Sequence, residues 1–310
     1  MNPAFSVIFF TVTAGAGYGL LFLLAFSRLG GLAPDISPDQ IAGTGILGLV
    51  LVTLGLLSST LHLANPRNAW RSFVRFRTSW LSREAVFAVL FYPLSLAWLV
   101  VEWTQGNVGA SATLGVLSAL LAVVVLICTA MIYASLKTIR QWNTALTPVN
   151  FVLLAMLLGA LVFLVVLAFL DLPTGPLAAV TLVVLCAAAL VKLVYFHWIG
   201  QPQGPTINTA LGFTRATVRL LDVGHAADTF HTREFGFEMA RTKLVWIRVA
   251  SVVLAFVVPL ALVAGLVGAP SVGHLVAAAV SAYVGVFLER WLFFAEARHV
   301  VNLYHGAQRT

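Results

Sequence analysis

The sequence predicts an all-α integral membrane protein: a bundle of eight transmembrane helices forming one domain over residues 1–310. Three observations lead there. The chain is 60% hydrophobic and only 9% charged, whereas soluble domains carry about a quarter charged residues. Its mean hydropathy is +0.98. Charge is missing altogether from residues 1–27, 40–66, 103–136, 141–170 and 249–288. A crossing helix needs roughly 20 apolar residues, so the last of these stretches has room for two. Finally, an eight-span reading sorts the basic residues by side. Of the 18 lysines and arginines, only Arg28 falls opposite the termini, while Lys192, Arg248 and Arg290 lie within or against the spans. The rest share the side of the termini, which the positive-inside rule makes cytoplasmic.

Each element has its own signals. The first span, about 5–27, has no basic segment before it, which argues for a retained helix and against a cleaved signal peptide. Gly30-Gly31, Pro34 and Pro38 break it from the second, about 40–63. An interfacial amphipathic helix is expected at about 65–81, with Asn65 as cap and Pro66 in its first turn. Arg67, Arg71 and Arg75 would line one face, with Trp70, Phe73 and Val74 on another. The third span, about 84–103, is expected to start from a Ser82 cap, with Glu84 in its first turn near the helix dipole. Spans four and five follow at about 111–135 and 148–170. Asp171-Leu-Pro-Thr-Gly-Pro176 then turns the chain into span six, about 177–199. The long connection 200–243 carries amphipathic stretches at Phe213–Leu221 and Phe230–Met239, expected as surface helices. Spans seven and eight, about 244–267 and 273–296, meet across Gly268-Ala-Pro-Ser271.

A net charge of +7 could suggest nucleic acid. Here the basic residues flank membrane segments, so they set topology and meet lipid headgroups, and no nucleic-acid partner is expected. Cys128 and Cys186 sit in apolar runs and suit packing rather than a disulfide. No cysteine cluster exists to hold an iron–sulfur centre.

The stretch from Thr60 to Glu84 is the richest in chemistry. It holds His62, Glu84 and five arginines between two apolar runs. As the ends of adjacent spans, His62 and Glu84 would sit on one side of the membrane at similar depth. Ionisable groups within membrane spans are costly enough to count as functional candidates, and an imidazole can accept a proton near neutral pH. The bland readings are an idle interfacial histidine, a dipole-stabilised carboxylate, and arginines serving topology. Two titratable groups at one lipid–water boundary instead suit redox chemistry on a lipid-soluble proton and electron carrier. Elsewhere, Glu102 and Lys192 are expected to snorkel towards opposite interfaces, and Glu289-Arg290 to pair within the bundle. A two-haem path needs four histidines at two depths. His62 and His197 lie at the basic-side ends of their helices and only His274 lies near the other face, so haem is a weak alternative.

These residues resemble a known family, the membrane anchor subunits of dimethyl sulfoxide reductase and related molybdoenzymes. The resemblance rests on Ser59-Thr-Leu-His-Leu63, Pro66-Arg67, Ala69-Trp70-Arg71 and Thr78-Ser-Trp-Leu-Ser-Arg-Glu84. Glu234-Phe-Gly-Phe237 and the segment from Arg290 to Arg298 extend it over essentially the whole chain. It implies a multi-pass inner-membrane anchor without haem, acting in anaerobic respiration rather than as a stand-alone enzyme. Such an anchor oxidises menaquinol or a similar quinol. It passes electrons to an iron–sulfur subunit that feeds a molybdopterin catalytic subunit. By motif, His62 and Glu84 match the family's quinol-site pair, whereas Ala64 and Asn65 depart from its His-Leu-Gly-Arg-Pro pattern. Arg67 and Arg83 would assist the proton relay, and Trp80 would pack against the quinol ring. The alternatives are a b-type cytochrome anchor and a transporter, the latter disfavoured because no inverted repeat is evident.

Overall fold

The computed structural model describes the chain except residues 1, 28, 62–65, 202–203, 266–267 and 269; between 223 and 240 it describes only 224, 227, 235 and 239. Among the described residues, eight helices are long and apolar enough to cross a membrane. They are α1 (Phe5–Ala25), α2 (Pro38–Thr60), α3 (Trp80–Trp103), α4 (Val108–Ala134), α5 (Leu146–Phe169), α6 (Gly175–Gly200), α7 (Thr242–Val263) and α8 (Val272–Ala295). At 1.5 Å per residue each reaches about 30 Å or more, enough for the hydrocarbon core. Polar side chains close the starts of α2, α3, α4 and α8, where backbone N–H groups would otherwise be orphaned. Ser37 and Gln40 form a reciprocal capping box on α2, Asn107 Oδ1 accepts from Ala110 N at 3.0 Å on α4, and Ser271 caps α8.

Helices α1 and α5 form the centre. α1 packs against α2, α4, α5 and α8, and α5 against α1, α4, α6 and α8. Close approach needs small residues: a Cβ added to Gly159 would lie 2.2 Å from the backbone carbon of Gly19, and one on Gly19 would lie 2.1 Å from the Ala155 carbonyl oxygen. This small-residue crossing is how membrane helices gain contact when lipid is as apolar as the core. Hydroxyl pairs tie the helices laterally. Thr13 meets Tyr283 at 2.6 Å (α1–α8), Thr53 meets Tyr92 at 2.8 Å (α2–α3), and Ser95 meets Ser118 at 2.7 Å (α3–α4).

α7 contains one π-helical turn, Val253–Val257, just before Pro259. Proline lacks an N–H and its ring crowds the carbonyl four residues back, so the hydrogen-bond ladder shifts there. Ser281 Oγ donates to the Leu254 carbonyl at 2.9 Å, and Gly285 lets the α8 backbone come close to Ala255.

Several local expectations change. α3 starts at Trp80, because Ser79, not Ser82, accepts the first-turn N–H. Glu84 therefore lies beyond the first turn. The interfacial segment is a 3₁₀ helix over Pro66–Phe73, shorter than the 65–81 helix expected. With three residues per turn, Trp70 and Phe73 align on one edge, and Phe76 beyond them packs edge-on against Phe87 of α3 at 5.6 Å. Residues 213–221 are not helical, since the Asn208 side chain takes over their backbone groups. Its amide donates to the carbonyls of Phe213 and Ala216 and accepts from Val218 N. Most of Phe230–Met239 lies outside the described residues. Lys192 does not snorkel: it is 1% exposed and paired with Glu289. Cys128 is buried, whereas Cys186 faces outward.

The α1–α5 crossing yields a prediction. Gly159→Leu forces two backbones apart and should cost at least about 1–3 kcal/mol, read as a lower unfolding midpoint in detergent. Gly43→Ala, where nothing lies within 4 Å of an added Cβ, should leave that midpoint unchanged or raise it.

Candidate functional site

The His62-to-Glu84 block lies where α2 ends and α3 begins, on the basic side. His62 itself, with Ala64 and Asn65, lies outside the described residues. α2 and α3 pack together, joined by the Thr53–Tyr92 hydroxyl pair. Between them Arg67, Trp70, Arg71, Arg75 and Arg77 are exposed. Arg83 folds back over this loop. Its Nε donates to the Phe76 carbonyl at 3.1 Å, its Nη2 to the Arg77 carbonyl at 2.8 Å, and its guanidinium lies 4.2 Å from the Trp80 ring centre. Arg83 and Trp80 thus form a surface unit that ties the loop to α3. Arg67 stands apart on the 3₁₀ helix.

Glu84 points the other way. It is 6% exposed, and its Oε1 accepts from Thr129 Oγ1 of α4 at 2.5 Å. Starting from Trp80, it is about 6 Å into the helix. A carboxyl group at that depth has no bulk water to pair with, and such groups mark proton or substrate paths by default. Thr129 contributes a single hydroxyl proton, and the Val125 carbonyl lies 3.1 Å from the same oxygen. Glu84 and Thr129 can therefore hold and hand over a proton.

A small cavity adjoins Thr129, enclosing about 20 Å³ between α1, α4, α5 and α8. Tyr18 and Arg290 also line it. A larger one of about 180 Å³ opens at the opposite end of the bundle, with Trp98, Glu102 and Ser111 in its wall. There Ser111 donates to Glu102, which lies far from the His62-to-Glu84 block.

The lower part of the bundle also holds a cluster of charges. Glu289 is bonded to Lys192 through one oxygen and lies 2.8 Å from Arg290 Nε through the other. Lys192 stacks on Tyr195 at 4.0 Å and Phe196 at 4.6 Å, and Arg290 on Phe151 at 3.8 Å. Towards the basic surface, Arg248 donates to Glu296 at 2.6 Å. Sequence reasoning anticipated Glu289-Arg290 but missed Lys192 as their partner, and missed Tyr18 and Thr129 entirely. One signal was available: Tyr18 is the only tyrosine in the first span, set among Gly15, Gly17 and Gly19. Nothing in the Cys128-Thr129-Ala130 context marks Thr129.

Comparison with known proteins matches residues 1–295 to the family model described as DMSO reductase anchor subunit. The sequence is 34% identical to a sulfite dehydrogenase subunit of Allochromatium vinosum, over 98% of this protein and 99% of that one. It is 26% identical to a subunit of the anaerobic dimethyl sulfoxide reductase of Escherichia coli, over 66% of this protein and 69% of that one. For the corresponding reductase subunit of Haemophilus influenzae the identity is 27%, over 49% of this protein and 54% of that one.

Glu289→Gln should be among the most damaging single changes, because it leaves Lys192 and Arg290 buried without their carboxylate. Breaking a buried pair this way costs about 3–5 kcal/mol. Unfolding midpoints in detergent measure it, and an unchanged midpoint would mean that water already solvates the cluster.

Proposed function

Because the chain belongs to the DMSO reductase anchor-subunit family, and so is the anchor of a molybdoenzyme complex, we propose that it is the subunit through which that complex exchanges electrons with membrane quinone. The quinol, menaquinol by resemblance, binds beside the end of α2 and the start of α3. His62 accepts a proton as electrons leave the ring, Glu84 takes part in moving protons away, and Trp80 packs near the ring with Arg67 and Arg83 around it. The electrons pass to an iron–sulfur subunit and on to a molybdopterin subunit, so this protein holds no haem or metal of its own. By the positive-inside rule the arginine-rich loop and the termini face the cytoplasm across the inner membrane.

The observation that carries this reading is Glu84, a buried carboxyl group hydrogen-bonded to Thr129, one turn beneath an exposed arginine loop. A titratable group in this position supports the reading, because quinone chemistry exchanges protons as well as electrons.

A second reading concerns direction. The relative that matches over almost the whole length is named a sulfite dehydrogenase subunit. A dehydrogenase takes electrons from its substrate, so an anchor working in that sense reduces quinone instead of oxidising quinol. The same residues serve both directions, with protons running the opposite way. Assays on the assembled complex separate them: quinol oxidation with an electron acceptor supports the first, and sulfite-dependent quinone reduction the second.

His62→Ala and Glu84→Gln should each cut quinone-linked turnover by about 10²-fold or more, the usual contribution of a group that moves the proton. Artificial-donor activity, which bypasses this subunit, should persist with the complex assembled. Glutamine can still accept the Thr129 hydrogen bond, so Glu84→Gln isolates the proton function. Full quinone-linked activity in both variants would refute the site. The purified protein should also show no Soret absorbance; such a band would return the b-type cytochrome reading.

A further inference from the structure

The basic end of the bundle carries a folded layer outside the spans. Three segments build it: 136–144 between α4 and α5, 204–222 after α6, and 298–310 after α8. Backbone bonds join them. Ile139 and His299 form an antiparallel bridge, next to a bond from Val300 N to the Thr138 carbonyl at 3.1 Å. Ile207 N donates to the Gln308 carbonyl at 3.1 Å, and Thr310 N to the Pro205 carbonyl at 3.2 Å. Arg140 Nη1 donates to the Gln201 carbonyl at 2.9 Å, which ties the α4–α5 turn to the end of α6. Ile139, Trp142, Ile207 and Leu303 are buried in the process. The layer therefore closes over helix ends, and its outer side looks away from the bilayer.

That outer side is not built for water alone. Leu211, Phe213, Leu221 and Tyr304 are each more than half exposed, on two segments that the Thr206–Arg309 bridge holds together. Apolar residues gathered on a water-facing surface mark an interaction site. Charge is one-sided as well. The three segments carry Lys137, Arg140, Arg215, Arg219, Arg298 and Arg309 against a single acid, Asp222. The Asn208 side chain, bonded to the Phe213 and Ala216 carbonyls and to Val218 N, fixes the loop that presents Phe213 and Arg215. Ordering it in advance spares a partner that cost. Aromatic and arginine side chains together are what protein interfaces favour, and the cations call for an acidic counterpart. Among the described residues, the connections at the opposite end hold no helix and carry Asp35, Asp39 and Asp171.

We propose that this layer is the seat of the iron–sulfur subunit, which meets it with an acidic and apolar surface. Membership of an anchor-subunit family calls for a held partner. That the partner in contact is the one receiving electrons rests on the quinone reading; the seat itself does not. α4 links the layer to the candidate site. Its Thr129 holds Glu84, and the helix ends at Ala134, about 8 Å further along its axis, where the layer begins. A subunit seated there stands over the helix that carries the hydrogen-bond partner of Glu84.

In the assembled complex, a photo-crosslinker substituted for Phe213 or Tyr304 should capture the iron–sulfur subunit, and one substituted for Trp103 at the opposite end should not. Capture of lipid alone, of a second copy of this chain, or of the iron–sulfur subunit only from position 103 would overturn the seat. Arg215→Glu with Arg219→Glu, and Phe213→Glu with Leu221→Glu, should each lower co-purification of the soluble subunits in mild detergent about tenfold or more, as loss of interface anchors does. These residues lie on the surface outside the spans, so the amount of anchor in the membrane and its unfolding midpoint should stay at wild-type values. Wild-type retention should also weaken as salt rises, because exposed charges are screened. Full retention of both subunits in both double variants would refute the proposal; if a variant unfolds, the crosslinks decide. Quinol-analogue binding judges the quinone reading separately. A complex held through positions 213 and 304 that binds no analogue would refute that reading and leave the seat standing, and analogue binding without those crosslinks would do the reverse.

Discussion

A polar group inside a bilayer has no water to turn to, so it must find its partner within the protein or bear the cost of being bare. That constraint organises the interior of this bundle. Thr13 with Tyr283, Thr53 with Tyr92 and Ser95 with Ser118 each join two helices through hydroxyls. Single contacts of this kind contribute only about 0.6 kcal/mol on average, so their role is to set which faces meet. The charged groups answer to the same rule at higher stakes. Lys192, Glu289 and Arg290 are each almost wholly buried and hold one another in place.

Helix packing then decides where the rule is left unmet. α1 is the spine, and its glycines let α5 approach until backbones touch at Gly19 and Gly159. Tyr18 lies between two such glycines, and the space beside it opens onto Thr129 and Arg290. Tyr18 and Arg290 look into the cavity whose wall also carries the hydrogen-bond partner of Glu84. The surface above is built differently. The loop 66–79 is exposed and cationic, held down by Arg83 and by Phe76 on Phe87. On the same side Trp142 donates to the Phe293 carbonyl, Tyr195 to the Gln141 carbonyl, and Gln141 accepts from Arg298 N, knitting the α4–α5 turn to the end of α8. A polar interior thus lies beneath a basic platform.

The number, order and approximate limits of the crossing helices follow from the sequence alone. A stretch of apolar residues long enough to span hydrocarbon has few other fates, and turn residues mark its ends. The loop arginines and the candidacy of Glu84 were equally legible, because isolated titratable residues stand out in an apolar sequence. What the sequence could not convey is direction around each helix. The spans are apolar on every face, so no amphipathic stripe says which side of α3 carries Glu84 inward, or that Lys192 turns to Glu289 instead of to the interface. The start of α3 turned on a choice between two serines, and only the geometry of Ser79 decided it. Thr129, in an apolar run that nothing marks, acquires meaning only when four helices bring it together with Tyr18. Partition into the membrane is a sum over local composition. The pairing of buried polar groups is a property of helix rotation and crossing, which exists only in the assembled bundle.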